Sequence, residues 1–227
     1  MSKIVTIFNE KGGAGKTTTA CQLAGTLGLR GYDVMVADLD PQQSSTNWIS
    51  AAPEGTRFPA SLWRADKYNS NITAELQIQS SKYDIIIADC APSIGNPTTW
   101  GTLLVSDLAI IPSKLNPPDI SALVAAKKMA RRVHQETGRP FPIRVLPNAA
   151  RLHFKDDKAA LALLMADKEF PPMRSILGDR KAFTRAMQFG VTAHSLPHGE
   201  DAVAEIEKLA DEVLKYLGMP AKPAKGK

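Results

Sequence analysis

Five short runs of aliphatic and β-branched residues punctuate the chain: 4–8 (IVTIF), 34–37 (VMVA), 85–88 (IIIA), 108–111 (LAII) and 143–146 (IRVL). They are apolar almost throughout, without the alternation of a strand that has one wet face. That pattern predicts strands buried on both sides, as in a parallel sheet covered by helices. Pro112 and Pro147 stop the fourth and fifth runs, and a further short strand is expected near 191–196. Between the runs the apolar period lengthens to that of a helix. Ala20, Leu23, Ala24 and Leu27 share one face of a helix closed by Gly31, and further helices are expected at about 118–137, 156–167, 179–189 and 200–217. Strands alternating with helices predict an α/β fold, a mostly parallel twisted sheet with helices on both faces. Residues 51–71, with Pro53 and Pro59, read as an irregular surface excursion. Residues 1–218 form a single expected domain, and the Pro/Lys-rich stretch 219–227 (MPAKPAKGK) is expected to be a disordered tail.

The junction between the first strand and the first helix carries the chemistry. It reads NEKGGAGKTTTA, residues 9–20. The ordinary phosphate loop is G-x-x-x-x-G-K-[ST], whose backbone N–H groups, lysine and hydroxyl receive phosphates and Mg2+. Gly15, Lys16 and Thr17 supply its second half, but Glu10 stands where the first glycine belongs and a second lysine, Lys11, follows it. Gly12, Gly13 and Gly15, with Ala14 among them, let the backbone turn tightly and aim N–H groups at one point. Lys16 adds a point charge, Thr17 a hydroxyl for the metal, and the helix that continues through Thr18 directs its positive end at the anion.

Magnesium on phosphates also needs one or two carboxylates, and open α/β sheets bind ligands at the carboxyl ends of their strands. The second apolar run ends in DLDPQ, with Asp38 and Asp40, and the third ends in Asp89 within YDIIIADCAPS. Three carboxylates at two strand ends downstream of a phosphate loop predict a magnesium–nucleotide site.

Composition narrows the alternatives. A chain of 227 residues with 44% hydrophobic side chains suffices for one sizeable aliphatic core. The two cysteines, Cys21 and Cys90, form no CxxC pair, which gives no support to a zinc or redox-pair site and fits a reduced, cytoplasmic compartment. No apolar run approaches the roughly 18–20 residues that span a bilayer, and the short apolar N-terminal stretch reads as a strand, not a signal peptide. A net charge of +5 is weak evidence by itself for a polyanionic partner.

The motifs together resemble the ParA/MinD superfamily of P-loop ATPases. KGGAGKTT with Lys11 resembles its deviant Walker A motif, DLDPQ at 38–42 its second motif, and YDIIIADCAPS its Walker B strand; the resemblance runs from Lys3 to about Leu217. It implies ATP and Mg2+ as cofactors and an ATP-dependent homodimer. Within it, Lys11 matches the signature lysine that contacts phosphate across the dimer, and Lys16 and Thr17 keep the usual loop roles. Asp40 matches the carboxylate that positions or activates the attacking water, Asp38 sits near the metal and organises the site, and Asp89 holds Mg2+ through water. Asn148 in RVLPNAARLH resembles the adenine-contacting asparagine, and Pro197 in HSLPHG falls in a loop that flanks the base. One departure stands out: the family's D-x-P-P reads Asp89, Cys90, Ala91, Pro92 here, so the metal carboxylate is kept and the loop after it altered.

The resemblance leaves open what the ATPase acts on. ParA relatives bind DNA nonspecifically and answer to a ParB-like or other cargo-linked activator. MinD relatives bind membrane through a C-terminal amphipathic helix, and other members are metabolic enzymes. The polar face of 200–217 carries Glu200, Asp201, Glu205, Glu207, Asp211 and Glu212 against Lys208 and Lys215. A helix that lies on anionic lipid is rich in Lys/Arg there, so no membrane partner is expected. Arg174, Arg180, Lys181 and Arg185 form a basic cluster, and Lys127, Lys128, Arg131 and Arg132 a second, either of which would bind phosphates without sequence preference. The first strand starts at the head of this sequence, so sequence-specific reading by a preceding helix-turn-helix is not expected. The expected function is a ParA-type ATPase at the nucleoid that positions or segregates cargo.

Overall fold

The computed structural model describes residues 2–65, 71–93 and 95–222. Six strands form one parallel sheet in the order β3-β2-β4-β1-β5-β6. They are β1 (Lys3–Ile7), β2 (Val34–Leu39), β3 (Ser61–Arg64), β4 (Ile85–Cys90), β5 (Leu108–Ser113) and β6 (Ile143–Pro147). The helices are α1 (Lys16–Leu29), α2 (Ser44–Ser50), α3 (Ile72–Gln79), α4 (Pro97–Leu104), α5 (Pro117–Thr137), α6 (Lys155–Met165), α7 (Lys181–Gln188) and α8 (Glu200–Leu217).

Side chains alternate across a strand, and here both faces are dry. Val5, Ile7, Val34, Val36, Ile85, Ile87, Leu108 and Ile110 join Leu23 and Leu27 of α1 and Ile206, Leu209 and Val213 of α8 in one core. Ile4, Phe8, Met35, Ala37, Ile86, Ala88, Ala109 and Ile111 join Leu76 of α3, Leu103 of α4 and Leu123 and Val133 of α5 in the other. Two-sided burial is why the strands read as unbroken apolar runs. Each large aliphatic side chain so buried contributes roughly 1.5–3 kcal/mol.

Two expectations are corrected. Residues 191–196 are not a strand: Ala193–Ser195 is a 3-10 turn, held by the buried Gln22, whose Oε1 accepts the Ala193 N–H at 2.9 Å. The supposed excursion at 51–71 contains β3, one edge strand of the sheet, paired with β2 from Met35↔Ser61 to Asp38↔Arg64. Its SLWR sequence is only partly buried, so it lacks the apolar signal of the inner strands. Three short helices, α2, α3 and α4, were also not foreseen, although Asn71 and Asn96 cap α3 and α4 by accepting backbone N–H groups. Of the expected tail, Pro220 accepts a hydrogen bond from Tyr32 and Lys222 donates one to the Gly31 carbonyl at 3.2 Å; residues 223–227 lie outside the described residues.

The acidic face of α8 is turned to the protein's own chain. Arg30, at the end of α1, pairs with Glu207 and with Asp211 at 2.6 Å. Glu212 accepts the N–H groups of Arg174 and Ser175, and Glu205 that of Gly178. Arg180 pairs with Glu205 and Asp201. Among the described residues no helix is long and apolar enough to cross a membrane.

Close packing of the 51–60 segment on α1 depends on Gly28, where an added Cβ would stand 1.8 Å from the Pro59 carbonyl oxygen. Helix propensity alone favours alanine there by about 1 kcal/mol, but the overlap is with backbone. Gly28→Ala is therefore expected to destabilise the fold by about 1–3 kcal/mol, read as a lower Tm in thermal unfolding; an unchanged or higher Tm would refute the packing account.

Candidate nucleotide site

The parallel register assembles the site. β1 lies between β4 and β5, with Ile7 level with Asp89, and β2 pairs with β4 so that Asp38 also stands level with Asp89. The end of β1 runs into the glycine loop, so loop and carboxylates meet at the carboxyl end of the sheet. Asn9 fixes the loop's start: its amide donates to the Pro112 carbonyl at 2.8 Å, and its Oδ1 accepts the Lys11 N–H at 3.1 Å.

Within the loop, Gly13 (φ +71°) and Gly15 (φ +96°) occupy the left-handed region, where a side chain is strained. Gly15 also has no room for a Cβ, which would stand 1.9 Å from Asn148 Nδ2. Gly12 is exposed with open space where a Cβ would lie. Ala14 is buried, and Thr18 is half-buried on the first turn of α1. Lys16 is buried, and its ammonium donates to the Lys11 carbonyl at 3.1 Å. Burial lowers its pKa, opposed by the charges of Asp89 and Asp40.

Asp89 is 1% exposed. Its Oδ2 accepts hydrogen bonds from Thr17 Oγ1 at 2.8 Å and Ser45 Oγ at 2.7 Å, while Oδ1, equally buried, has no partner. Burial pushes the carboxyl up to about 7, against the two hydroxyl bonds that favour its charged form. A hydroxyl and an under-satisfied carboxylate beside a phosphate loop suit a hard cation that keeps several waters. Among the described residues no three His, Cys, Asp or Glu side chains cluster as a metal cage, so Thr17, Asp89 and phosphate oxygens would hold magnesium.

Asp38 is occupied differently. Its Oδ2 accepts from the backbone and hydroxyl of Thr46 at 2.8 and 2.6 Å, and its Oδ1 from the Asp40 N–H at 3.2 Å. It ties the second motif to the start of α2. Asp40 is half-exposed, with Oδ1 accepting the Gln42 N–H at 2.9 Å. It lines a cleft of about 360 Å³ with Gln43, Arg64, Asn96 and Thr98, a place where its other oxygen can meet a water.

Asn148 does not face solvent. It is buried, and its amide donates to the Ala14 carbonyl at 2.7 Å, bracing the loop. Pro197 is exposed in the turn before α8. The two cysteines are buried. Cys21 lies against Ser45 Oγ at 3.5 Å, and burial raises the pKa of both thiols.

The basic clusters divide. Arg180 is spent on α8, whereas Arg174, Lys181 and Arg185 are exposed, and no carboxylate pairs with their side chains among the described residues. In the second run, Lys127 pairs with Asp167 and Arg131 with Glu169. Arg132 instead stacks on Trp100, 5.1 Å from the ring centre. Ser45, Thr46 and Asn9 were missed as site residues. The hydroxyl cluster directly after DLDPQ was the available signal for the first two.

Residues 5–193 match the model of the CobQ/CobB/MinD/ParA nucleotide binding domain. The chain is 24% identical over 257 residues to a probable plasmid-partitioning protein ParA of Thermus thermophilus, covering 96% of this chain and 80% of the relative. It is 22% identical to maintenance of carboxysome distribution protein A of Gloeobacter kilaueensis, covering 93% and 94%. Its fold is similar to that of the septum site-determining protein MinD of Pyrococcus horikoshii complexed with Mg-ADP, with a TM-score of 0.72, 21% identity and coverage of 98% and 100%.

Because Asp89's pKa is raised on folding, the folded chain binds a proton that the unfolded chain releases. Its stability contribution is present at low pH and is lost as pH climbs from the ordinary carboxylate range through about 7. Asp89→Asn is expected to raise Tm above the parent at pH 8, without nucleotide or metal, and to raise it clearly less at pH 5. Equal Tm differences at the two pH values would contradict the buried-charge account.

Proposed function

The chain belongs to the CobQ/CobB/MinD/ParA family of nucleotide-binding domains and is an ATPase that uses ATP and Mg2+, and from this premise we propose that it is a ParA-type switch that positions or segregates cargo. The observation that carries the reading is the convergence of Lys11, Lys16, Thr17, Asp40 and Asp89 at the carboxyl end of the sheet. The names of the T. thermophilus and G. kilaueensis relatives point the same way.

In this reading the loop N–H groups from Gly12 to Thr18 and the Lys16 ammonium receive the phosphates. Thr17 and Asp89 would hold magnesium, which would neutralise phosphate charge, while Asp38 keeps the second motif in place. Asp40 orients the attacking water from its cleft. Lys11 completes the site of a second copy, adding in trans the positive charge that phosphoryl transfer demands. Asn148 couples the loop to the adenine side, and Pro197 flanks the base. ATP assembles the homodimer and hydrolysis releases it, so the bound state follows the nucleotide state.

Nonspecific DNA is the proposed surface, held by Arg174, Lys181 and Arg185, with Arg180 fixing the segment that carries them. A ParB-like or other cargo-linked protein stimulates turnover, and the protein works on the nucleoid in the cytoplasm. A membrane role is not favoured, because the charged face of α8 is engaged with Arg30, Arg180 and the 174–178 backbone.

Binding to random-sequence DNA and to anionic liposomes, each with ATP, with ADP and without nucleotide, tests the surface. ATP-dependent DNA binding is expected, weakened alike for all sequences by Lys181→Ala or Arg185→Ala, each lowering the salt slope by about one. Liposome binding without DNA binding would overturn the reading. Asp40→Ala is expected to bind ATP and dimerise but to lose turnover by about 100-fold or more. Lys16→Ala is expected to weaken nucleotide binding itself. Full ATPase activity in Asp40→Ala would remove that residue from the mechanism.

A further inference from the structure

Lys11 is engaged at every polar group it has. Its N–H donates to Asn9, its carbonyl accepts the Lys16 ammonium, and its own ammonium stands 2.5 Å from Asp119 Oδ2. Asp119 belongs to the first turn of α5, and its backbone N–H is capped by Asn116 Oδ1 at 3.0 Å. It is 2% exposed, and its Oδ1 has no partner. Among the described residues Lys11 is the only cation paired with it. The two ends of the pair differ: the Lys11 side chain is one-third exposed, so water reaches the ammonium but hardly the carboxylate.

We propose that Asp119 is a positioning residue for Lys11: it holds the lysine against its own chain and thereby sets how readily the ammonium is surrendered to a second copy. The inference rests on the reading that Lys11 acts in trans. In that reading the ammonium turns from Asp119, 2.5 Å away, to a nucleotide in a neighbouring chain, and the pair opposes that move. Dimer assembly therefore competes with the pair in both subunits. The affinity for a partner falls by the fraction of chains in the competent state, and that fraction enters once for each subunit.

The same geometry links release to nucleotide binding. The Lys16 ammonium that meets the phosphates also donates to the Lys11 carbonyl at 3.1 Å, so bound nucleotide lies one residue contact away from Lys11. A triphosphate offers an anion that competes with Asp119 for Lys11, and a diphosphate offers less charge. Asp119 thus raises the threshold for assembly without touching nucleotide.

The test compares the parent chain with Asp119→Asn, which keeps shape and removes charge, and Asp119→Glu, which restores charge. Two properties are measured: the rate of reductive methylation of the Lys11 amine in nucleotide-free protein, followed by mass spectrometry, and the protein concentration for half-dimerisation with ATP or ADP, by light scattering. In Asp119→Asn, Lys11 is expected to react about three- to tenfold faster, and half-dimerisation with ATP to occur at about three- to tenfold lower concentration. ADP should still leave it monomeric, and Asp119→Glu should return both properties towards the parent. Should Asp119→Asn fail to fold, Asp119→Ser, with a hydroxyl suited to the first helical turn, takes its place with the same expectations. Unchanged methylation, or dimerisation unchanged or weakened in a folded variant, overturns the proposal. Failure of the parent itself to dimerise with ATP would count against the trans reading, while the methylation rate would still decide whether Asp119 holds Lys11.

Discussion

A buried negative charge beneath the phosphate loop is the constraint around which the rest is arranged. Asp89 ends the strand at the heart of the sheet, 1% exposed, with two hydroxyl donors on one oxygen and none on the other. An ionised carboxylate in such a place is unfavourable unless a cation answers it. The nearby lysine is itself shifted by burial towards its neutral form. The site is therefore set for an added positive charge, and its stability is lower without one. The elements that supply Thr17 and Ser45, the start of α1 and the start of α2, are both fixed by what they donate to this one group.

Charge elsewhere is sorted in a complementary way. Five of the six carboxylates of α8 pair within the chain, on Arg30, Arg180 and the 174–178 backbone, and Asp167 and Glu169 neutralise half of the basic run on α5. The cations left exposed are fewer than the sequence suggests, and they are set by which arginines found partners. The acidic helix α8 is a clamp that joins α1 to the loop before α7.

Legibility follows from the range of the forces. The inner strands were read correctly because two-sided burial demands apolar residues at every position, a demand written locally in runs such as IIIA. Edge strand β3 was missed because it is half-wet and short, and the turn at Ala193–Ser195 was mistaken for a strand because its shape comes from Gln22, far away in sequence. Short helices α3 and α4 left legible cap residues, Asn71 and Asn96, with Pro97 at the first turn of the latter, but too few apolar positions to show a period.

By itself the sequence determined the loop, its lysines and the carboxylates, because phosphate chemistry requires those residue types at fixed spacing along a strand, turn and helix. Only the tertiary structure decided their states: that Asp38 secures α2, that Asn148 braces the loop, that Arg180 is internally paired and that Lys11 rests on Asp119. Those pairings join residues up to 134 positions apart, and electrostatic and hydrogen-bond energies depend on distance through space, which no spacing along the chain records.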